Sequence, residues 1–141
     1  MPLDHRIDDD LADDERRLIQ DGLVAFGDVH APPRNDRGAE FVVLEDGSRV
    51  VAGLFGSIVW DWLQVDVLWV RDDRRGQGIG RSLLAHAERT AHEAGCRHAR
   101  LDTFDFEARD FEERAGSEVY AELRDFPSGH SQFHLRTSWA D

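Results

Sequence analysis

Basic residues are the first shortage. Lysine and arginine together number 17 against 29 aspartates and glutamates, a net charge of −12. A phosphate backbone is bound by concentrated positive surface, so this balance argues against nucleic acid and makes a cationic or neutral partner easier to accommodate. Cysteine is the second shortage. Cys96 stands alone, which rules out an internal disulfide or a cysteine metal knuckle, and no metal is expected. Its reading is plain packing after the helix-ending Gly95, with a nucleophile as the alternative. Long apolar runs are missing too. No stretch approaches the roughly 20 residues of a membrane span, and the opening MPLDHRIDDD lacks the basic-then-apolar layout of a secretory signal. A soluble, cytoplasmic protein with no membrane partner is the expectation. Neither internal repeats nor low-complexity tracts interrupt the chain. Its 40% hydrophobic content over 141 residues suits one globular domain, 1–141, with a core of its own.

What is present reads as alternating elements. Over 8–27, Leu11, Leu18, Ile19, Leu23 and Phe26 recur at helical spacing behind a crowd of aspartates that suits a helix N-terminus. Pro32-Pro33 and the aperiodic polar residues to 40 make a loop. The segment 41–70 is rich in β-branched and aromatic residues and carries Asp46-Gly47, a hairpin signal, so three antiparallel strands are expected near 41–45, 49–58 and 61–70. Residues 81–95 form a helix with Leu84, Ala87, Ala91 and Ala94 as its apolar stripe, ended by Gly95. A strand at HARLDTFDF, a short helix at EARDFEERAG, and two strands at SEVYAEL and SQFHLRTSW follow. The order implies an α/β (α+β) fold in which about four helices cover one mixed, mostly antiparallel central sheet.

The stretch VRDDRRGQGIGRSLL, residues 70–84, places Gly76, Gly78 and Gly80 between a strand and a helix. Glycine amides turn inward without obstruction, and the free N–H groups of a first helical turn add the positive end of the macrodipole, so the junction is an anion site. Two familiar loops fail on spacing. A P-loop needs four residues between its glycines and a lysine, whereas Gly76 is one residue too close to Gly80 and Arg81 replaces the lysine. The dinucleotide fingerprint fails because Arg81 stands where its third glycine belongs.

Arg75-Gly76-Gln77-Gly78-Ile79-Gly80 matches the R/Q-x-x-G-x-G/A motif of the GCN5-related N-acetyltransferase (GNAT) superfamily, and the surroundings from Phe41 to Trp139 resemble it as well. LDTFDFEARDFEERAG looks like the family's strand-helix pair around a FYEKLGF-type sequence, and LRDFPSGHSQFHLR like the FxPxGH-type terminal hairpin of a bacterial branch. The resemblance implies an acyl-CoA N-acyltransferase fold with acetyl-coenzyme A as co-substrate. It implies that the amides of Gly76, Gln77, Gly78, Ile79, Gly80 and Arg81 hold the pyrophosphate, with Arg75 leading the motif. It further implies a bulged preceding strand that splays from its neighbour, so that backbone groups of Leu68, Trp69 and Val70 pair with the pantetheine arm. An amine of a small molecule, peptide or protein then attacks the thioester directly, its oxyanion held by an N–H near Val70.

Direct attack requires a neutral amine. Asp66, in QVDVLWV with Val65 and Val67 expected on the opposite face, is the candidate general base. A substrate-ammonium anchor, a loop cap and an arginine partner are its alternatives. The family's usual general acid is a tyrosine after Phe111, and this chain has Glu112 there. Either coenzyme A leaves unaided, or the chain binds the cofactor and catalyses little, or Tyr120, the only tyrosine, replaces the donor from its strand. Glu107 stands where the family has Asn or Gln against the pantetheine arm, and a carboxylate loses the amide's donor half. Arg74 either meets the 3′-phosphate or is solvated. His86 and His92 fall on different helix faces; His130 and His134 have ordinary loop and sheet roles or approach the acceptor. Trp60, Trp62 and Trp69 serve the core, a dimer contact or a substrate platform. The competing classes are a coenzyme-A-binding module with weakened catalysis and a partner-binding domain with an unrelated anion site. An exposed terminal strand and the Trp segment make a homodimer plausible.

Overall fold

The computed structural model describes residues 7–107 and 116–139, in two compact units, Met1–Pro33 and Arg34–Asp141. The first unit is the helix α1, Asp13–His30. It starts later than the apolar period suggested because Glu15 Oε1 reaches back to accept the Ala12 N–H at 2.9 Å and fixes the cap there. Asp13, Asp14 and Glu15 occupy its positive first turn. It runs through Gly27 and stops before Pro32-Pro33, where Ala31 is extended.

The second unit is built on six strands: β1 Arg37–Glu45, β2 Arg49–Val59, β3 Trp62–Val70, β4 His98–Phe104, β5 Glu118–Arg124 and β6 Ser131–Ser138. The helix α2, Ile79–Glu93, and a 3-10 turn at Asp72–Arg74 lie between β3 and β4. The spatial order is β1-β2-β3-β4-β6-β5. Every neighbouring pair is antiparallel except β3 with β4, which are parallel. This is the mixed, mostly antiparallel sheet the sequence implied. Among the described residues it is accompanied by two α-helices and the 3-10 turn rather than about four helices, and most of the expected short helix over 107–116 lies outside the described residues.

Local chemistry explains the joints. Asp46 and Gly47 both have positive φ, 52° and 75°, as a type I′ hairpin turn requires, and Ser48 N–H closes it on Glu45 O at 3.2 Å. At the end of α2, Gly95 takes φ 98°, while Gly95 and Cys96 donate back to His92 O and Ala91 O at 3.0 and 2.9 Å. That is a Schellman cap, possible because glycine has no Cβ to clash. Leu84, Ala87 and Ala91 bury the inner face of α2 against Leu54, Leu63, Leu101 and Leu135 of the sheet, and Leu83 is buried beside a groove toward β1. Each fully buried leucine contributes about 1.5–3 kcal/mol over exposure. Cys96 is buried at 2%; burial, then the Asp61 charge, pushes its thiol up. That supports the packing role and disfavours a thiolate nucleophile. No helix among the described residues is long and apolar enough to cross a membrane.

Candidate active site

The site begins at an irregularity in β3. Phe55 pairs with Val67 but Gly56 pairs with Val65, so Asp66 is an extra residue, a β-bulge, with no partner on β2. A Cβ on Gly56 would sit 1.9 Å from Gln64 O; glycine at 56 is what lets the bulged strand approach. The bulge reverses the inside-outside alternation. Val65 is 4% exposed and Val67 41%, so they do not share the face opposite Asp66 as the sequence suggested. Asp66 is exposed. Among the described residues its carboxylate meets no arginine and caps no loop, unlike the structural alternatives foreseen for it.

Immediately after the bulge the sheet opens. Trp62–Val65 pair with His98–Leu101, and β3 and β4 then part. Arg71 N–H bonds Val51 O at 2.8 Å, which sets the strand's period: Trp69 and Val67 turn their backbone groups toward β2, whereas Leu68 and Val70 turn theirs toward the space β4 has left. Arg75 Nε donates to Val70 O across the end of this opening at 3.3 Å. The divergence leaves an open edge at Leu68 and at the Val70 N–H, while the Val70 carbonyl is taken by Arg75. The side chain of Leu68 packs on the core, and Trp69 is 45% exposed.

At the mouth of the opening, Gly76 and Gly78 take φ 80° and 81°, a region side chains rarely occupy. No atom lies within 4 Å of a Cβ built on either. Gly78 caps α2, and Ser82 N–H is the first to bond back, to Gly78 O at 3.0 Å. The amides of Gly76, Gln77, Gly78, Ile79 and Gly80 therefore have no internal acceptor among the described residues, and they gather at the positive end of a 15-residue helix. Arg81 lies in the first turn and is exposed.

The loop is tethered from below by a network the sequence did not announce. Arg71 Nη2 donates to Glu45 Oε2 at 2.9 Å, and its Nε reaches Asp73 Oδ1 at 2.6 Å. Arg74 Nη2 bonds the other oxygen of Glu45. Hydrogen bonding from Arg71 holds the carboxyls of Glu45 and Asp73 below their ordinary range, with Arg74 adding to the effect on Glu45. Arg74 is thus held by Glu45 rather than simply solvated, and the separation of 26 positions between Glu45 and Arg71 left no sequence signal. Arg75 meets Asp72 at 3.3 Å.

The remaining candidates scatter. Glu107 accepts at 3.2 Å from the hydroxyl of Thr103, which is buried at 2% exposure; this adds a hydroxyl to the partners foreseen for its carboxylate. Tyr120 sits at a bulge in β5, where Val119 pairs with Leu135 and Ala121 with His134. Two strands, β6 and β4, separate it from the opening, and its ring meets the guanidinium of Arg136 at 5.4 Å. Phe111 and Glu112 lie outside the described residues. His86 stands edge-on to Phe41 at 4.8 Å, beside a groove of about 590 Å³ between β1 and the start of α2. The three tryptophans are dispersed: Trp62 stacks on His98 at 4.5 Å, and Trp60 faces the guanidinium of Arg34 at 4.9 Å.

Comparison with known proteins agrees with this geometry. The sequence profile of the Acetyltransferase (GNAT) family matches residues 6–117. The blasticidin-S acetyltransferase of Streptomyces morookaense is 42% identical over 82 residues, 57% of this chain and 60% of that protein; the match thus spans less than two thirds of that relative. The acetyltransferase Atu2258 of Agrobacterium fabrum is 36% identical over 123 residues, 86% of this chain and 90% of that one. A crystal structure of an acetyltransferase from Bacillus cereus superposes with a TM-score of 0.90 at 26% identity, covering 95% of this chain and 98% of that chain. A glycine cradle at a helix start, a bulged strand and a parallel pair that opens beyond it, carried on this sheet order, are the architecture of the family that the profile identifies, and the chain belongs to the GNAT acetyltransferases.

Proposed function

We propose that the protein moves an acetyl group from acetyl-coenzyme A to a primary amine of a small molecule, peptide or protein by direct attack, without a covalent enzyme intermediate. Enzymatic acetyl transfer with acetyl-coenzyme A as co-substrate follows from family membership; the acceptor and the residue roles are this reading. One observation carries it: the five amides at 76–80, without an acceptor among the described residues, stand at the mouth of an opening whose inner wall presents the backbone groups of Leu68 and the N–H of Val70. A diphosphate suits the first feature and an extended amide-bearing arm suits the second.

The chain's own work is then threefold. Gly76 to Arg81 fix the anion, the backbone of Leu68 to Val70 aligns the arm, and the Val70 N–H opposes charge that develops on the acyl oxygen. Asp66, exposed at the bulge and without a side-chain partner among the described residues, receives the ammonium proton directly or through water. The bound thioester supplies the activated acyl group.

Free-thiol release with a panel of cationic and neutral amines tests transfer. Silence across that panel despite firm coenzyme A binding would reject it. Gly78→Ala tests the cradle. The left-handed strain costs on the order of 1 kcal/mol of stability, and acetyl-coenzyme A affinity should fall about tenfold or more because the amides lose their aim. Wild-type affinity in this variant would remove the cradle from the reading.

A second reading, a coenzyme-A-binding module of weak catalysis, draws on Glu112 at the family's tyrosine position and on Tyr120 standing two strands from the opening. Under it, Glu112→Tyr creates turnover where the wild type has none measurable; no gain argues against it.

A further inference from the structure

Beyond Phe104, the wall of the opening formed by β4 runs directly into Asp105 and Phe106, and these meet the β5–β6 hairpin tip. Phe104 and Phe106 stack almost parallel, 5.1 Å apart at 4°. Phe126 lies on the same stack, 6.1 Å from Phe104 at 18°. Phe106 and Phe126 are nevertheless 59% and 49% exposed. Against this slab stands His130, edge-on to Phe106 at 5.2 Å and 89°, its Nδ1 on Asp105 Oδ1 at 2.9 Å.

The assembly is held in place from several sides. Ser131 N–H donates to Asp105 Oδ2 at 3.0 Å, and Asp105 N–H returns a bond to Ser131 O at 3.0 Å. His130 N–H bonds Pro127 O at 2.8 Å, and Phe126 N–H bonds His130 O at 3.1 Å. Gly129 N–H closes the tip on Asp125 Oδ1 at 3.0 Å. A carboxylate on Nδ1 of a neutral imidazole keeps the proton there, so the other nitrogen, Nε2, is an acceptor aimed by its neighbours. Two further carboxylates bond the residues that flank His130: Asp125 accepts from Gly129 N–H at 3.0 Å and Glu122 from the Ser131 hydroxyl at 2.9 Å, and Arg124 answers Glu122 at 3.5 Å.

We propose that this corner is the subsite for a planar cationic group, a guanidinium or a protonated heteroaromatic ring, carried by the amine that the enzyme acetylates. The proposal rests on the acyl-transfer reading above. Ring faces attract cations through their quadrupole, and a flat cation adds stacking area that a tetrahedral ammonium lacks. The surrounding carboxylates raise the local concentration of cations, and Nε2 of His130 accepts one N–H in the plane of the guest. Rings left half in water on a hairpin tip fixed by hydrogen bonds mark a preformed contact surface rather than a core.

Calorimetry with agmatine and 1,5-diaminopentane tests it, because both carry two positive charges and only agmatine has a planar one. Each is titrated into the full chain with and without coenzyme A. Agmatine should bind about tenfold more tightly than the diamine. Phe106→Leu and His130→Gln should each bring the ratio toward one while leaving the heat of coenzyme A binding unchanged. Equal binding of the two probes to the wild type, or an undiminished ratio in both variants, overturns the subsite. Loss of coenzyme A binding in the wild type would instead strike the acyl-transfer reading, and the two probes would still report on the aromatic corner.

Discussion

At the scale of single residues, glycine decides what the site looks like, and it does so in two unlike ways. Gly76 and Gly78 are needed for their backbone angles, 80° and 81°, with open space where a side chain would project. Gly56 is needed for the opposite reason: the space is filled, with Gln64 O 1.9 Å from any Cβ. Gly56→Ala must either push β2 from β3 or undo the bulge, at a cost of about 2–3 kcal/mol by analogy with overpacked cores. Urea denaturation should show that loss, and thiol release should fall with it, since Asp66 depends on the bulge for its exposure. An unchanged midpoint would mean that the strands separate freely there. The motif glycines were legible because they recur at fixed spacing before a helical period. Gly56 was not, since nothing in VAGLFGSIV tells which glycine faces a bulge on another strand. The same blindness affects Asp105 with His130 and Glu45 with Arg71, pairs 25 and 26 residues apart that only the sheet brings together.

Among elements, the joint that matters is the tether between the β1–β2 hairpin and the turn that precedes α2. Glu45 leaves the end of β1 to take Arg71 and Arg74, so the cradle loop is fastened to the far hairpin. Both Glu45 and Asp73 have carboxyls depressed by Arg71. A depressed carboxyl lends stability that is complete above its unfolded value and disappears as pH falls through its folded one. Glu88 on α2 has the reverse sign, since burial raises its carboxyl and acid relieves the penalty of ionisation. Glu45→Gln should therefore lower Tm at pH 7 and flatten the decline of Tm on the acid side of about pH 4.5, whereas Glu88→Gln should raise Tm at pH 7 and change little in acid. Thermal melts across pH check both, and a Glu45→Gln curve parallel to the wild type would show that the tether adds nothing to stability. The elements themselves were largely readable from alternation and caps. What alternation could not give was the reversal within β3, because one inserted residue exchanges the two faces without altering composition.

For the whole molecule, charge is the governing quantity. The chain carries −12, yet its proposed donor substrate is an anion held by neutral amides at a helix end. Short-range dipoles must then act against a long-range repulsion, and salt screens the second far more than the first. Raising sodium chloride from about 20 to 200 mM, which shortens the Debye length severalfold, should tighten acetyl-coenzyme A binding by calorimetry. An ordinary basic phosphate site weakens under the same change, and that outcome here would assign the binding to Arg75 and Arg81 rather than to the amides. Fold class and cradle could be anticipated from one sequence because periodicity and motif are local properties. The acceptor corner could not, since its parts come from a strand end and a hairpin tip.

The seam between the sheet's two halves is four residues long on each strand, Trp62–Val65 against His98–Leu101. An arm seated beside Leu68 and Val70 would extend that ladder, so the bound reactant doubles as a missing piece of scaffold. On that reading turnover would have a mechanical side: the protein would be stiffest when loaded, and each departure of product would take part of the frame away with it.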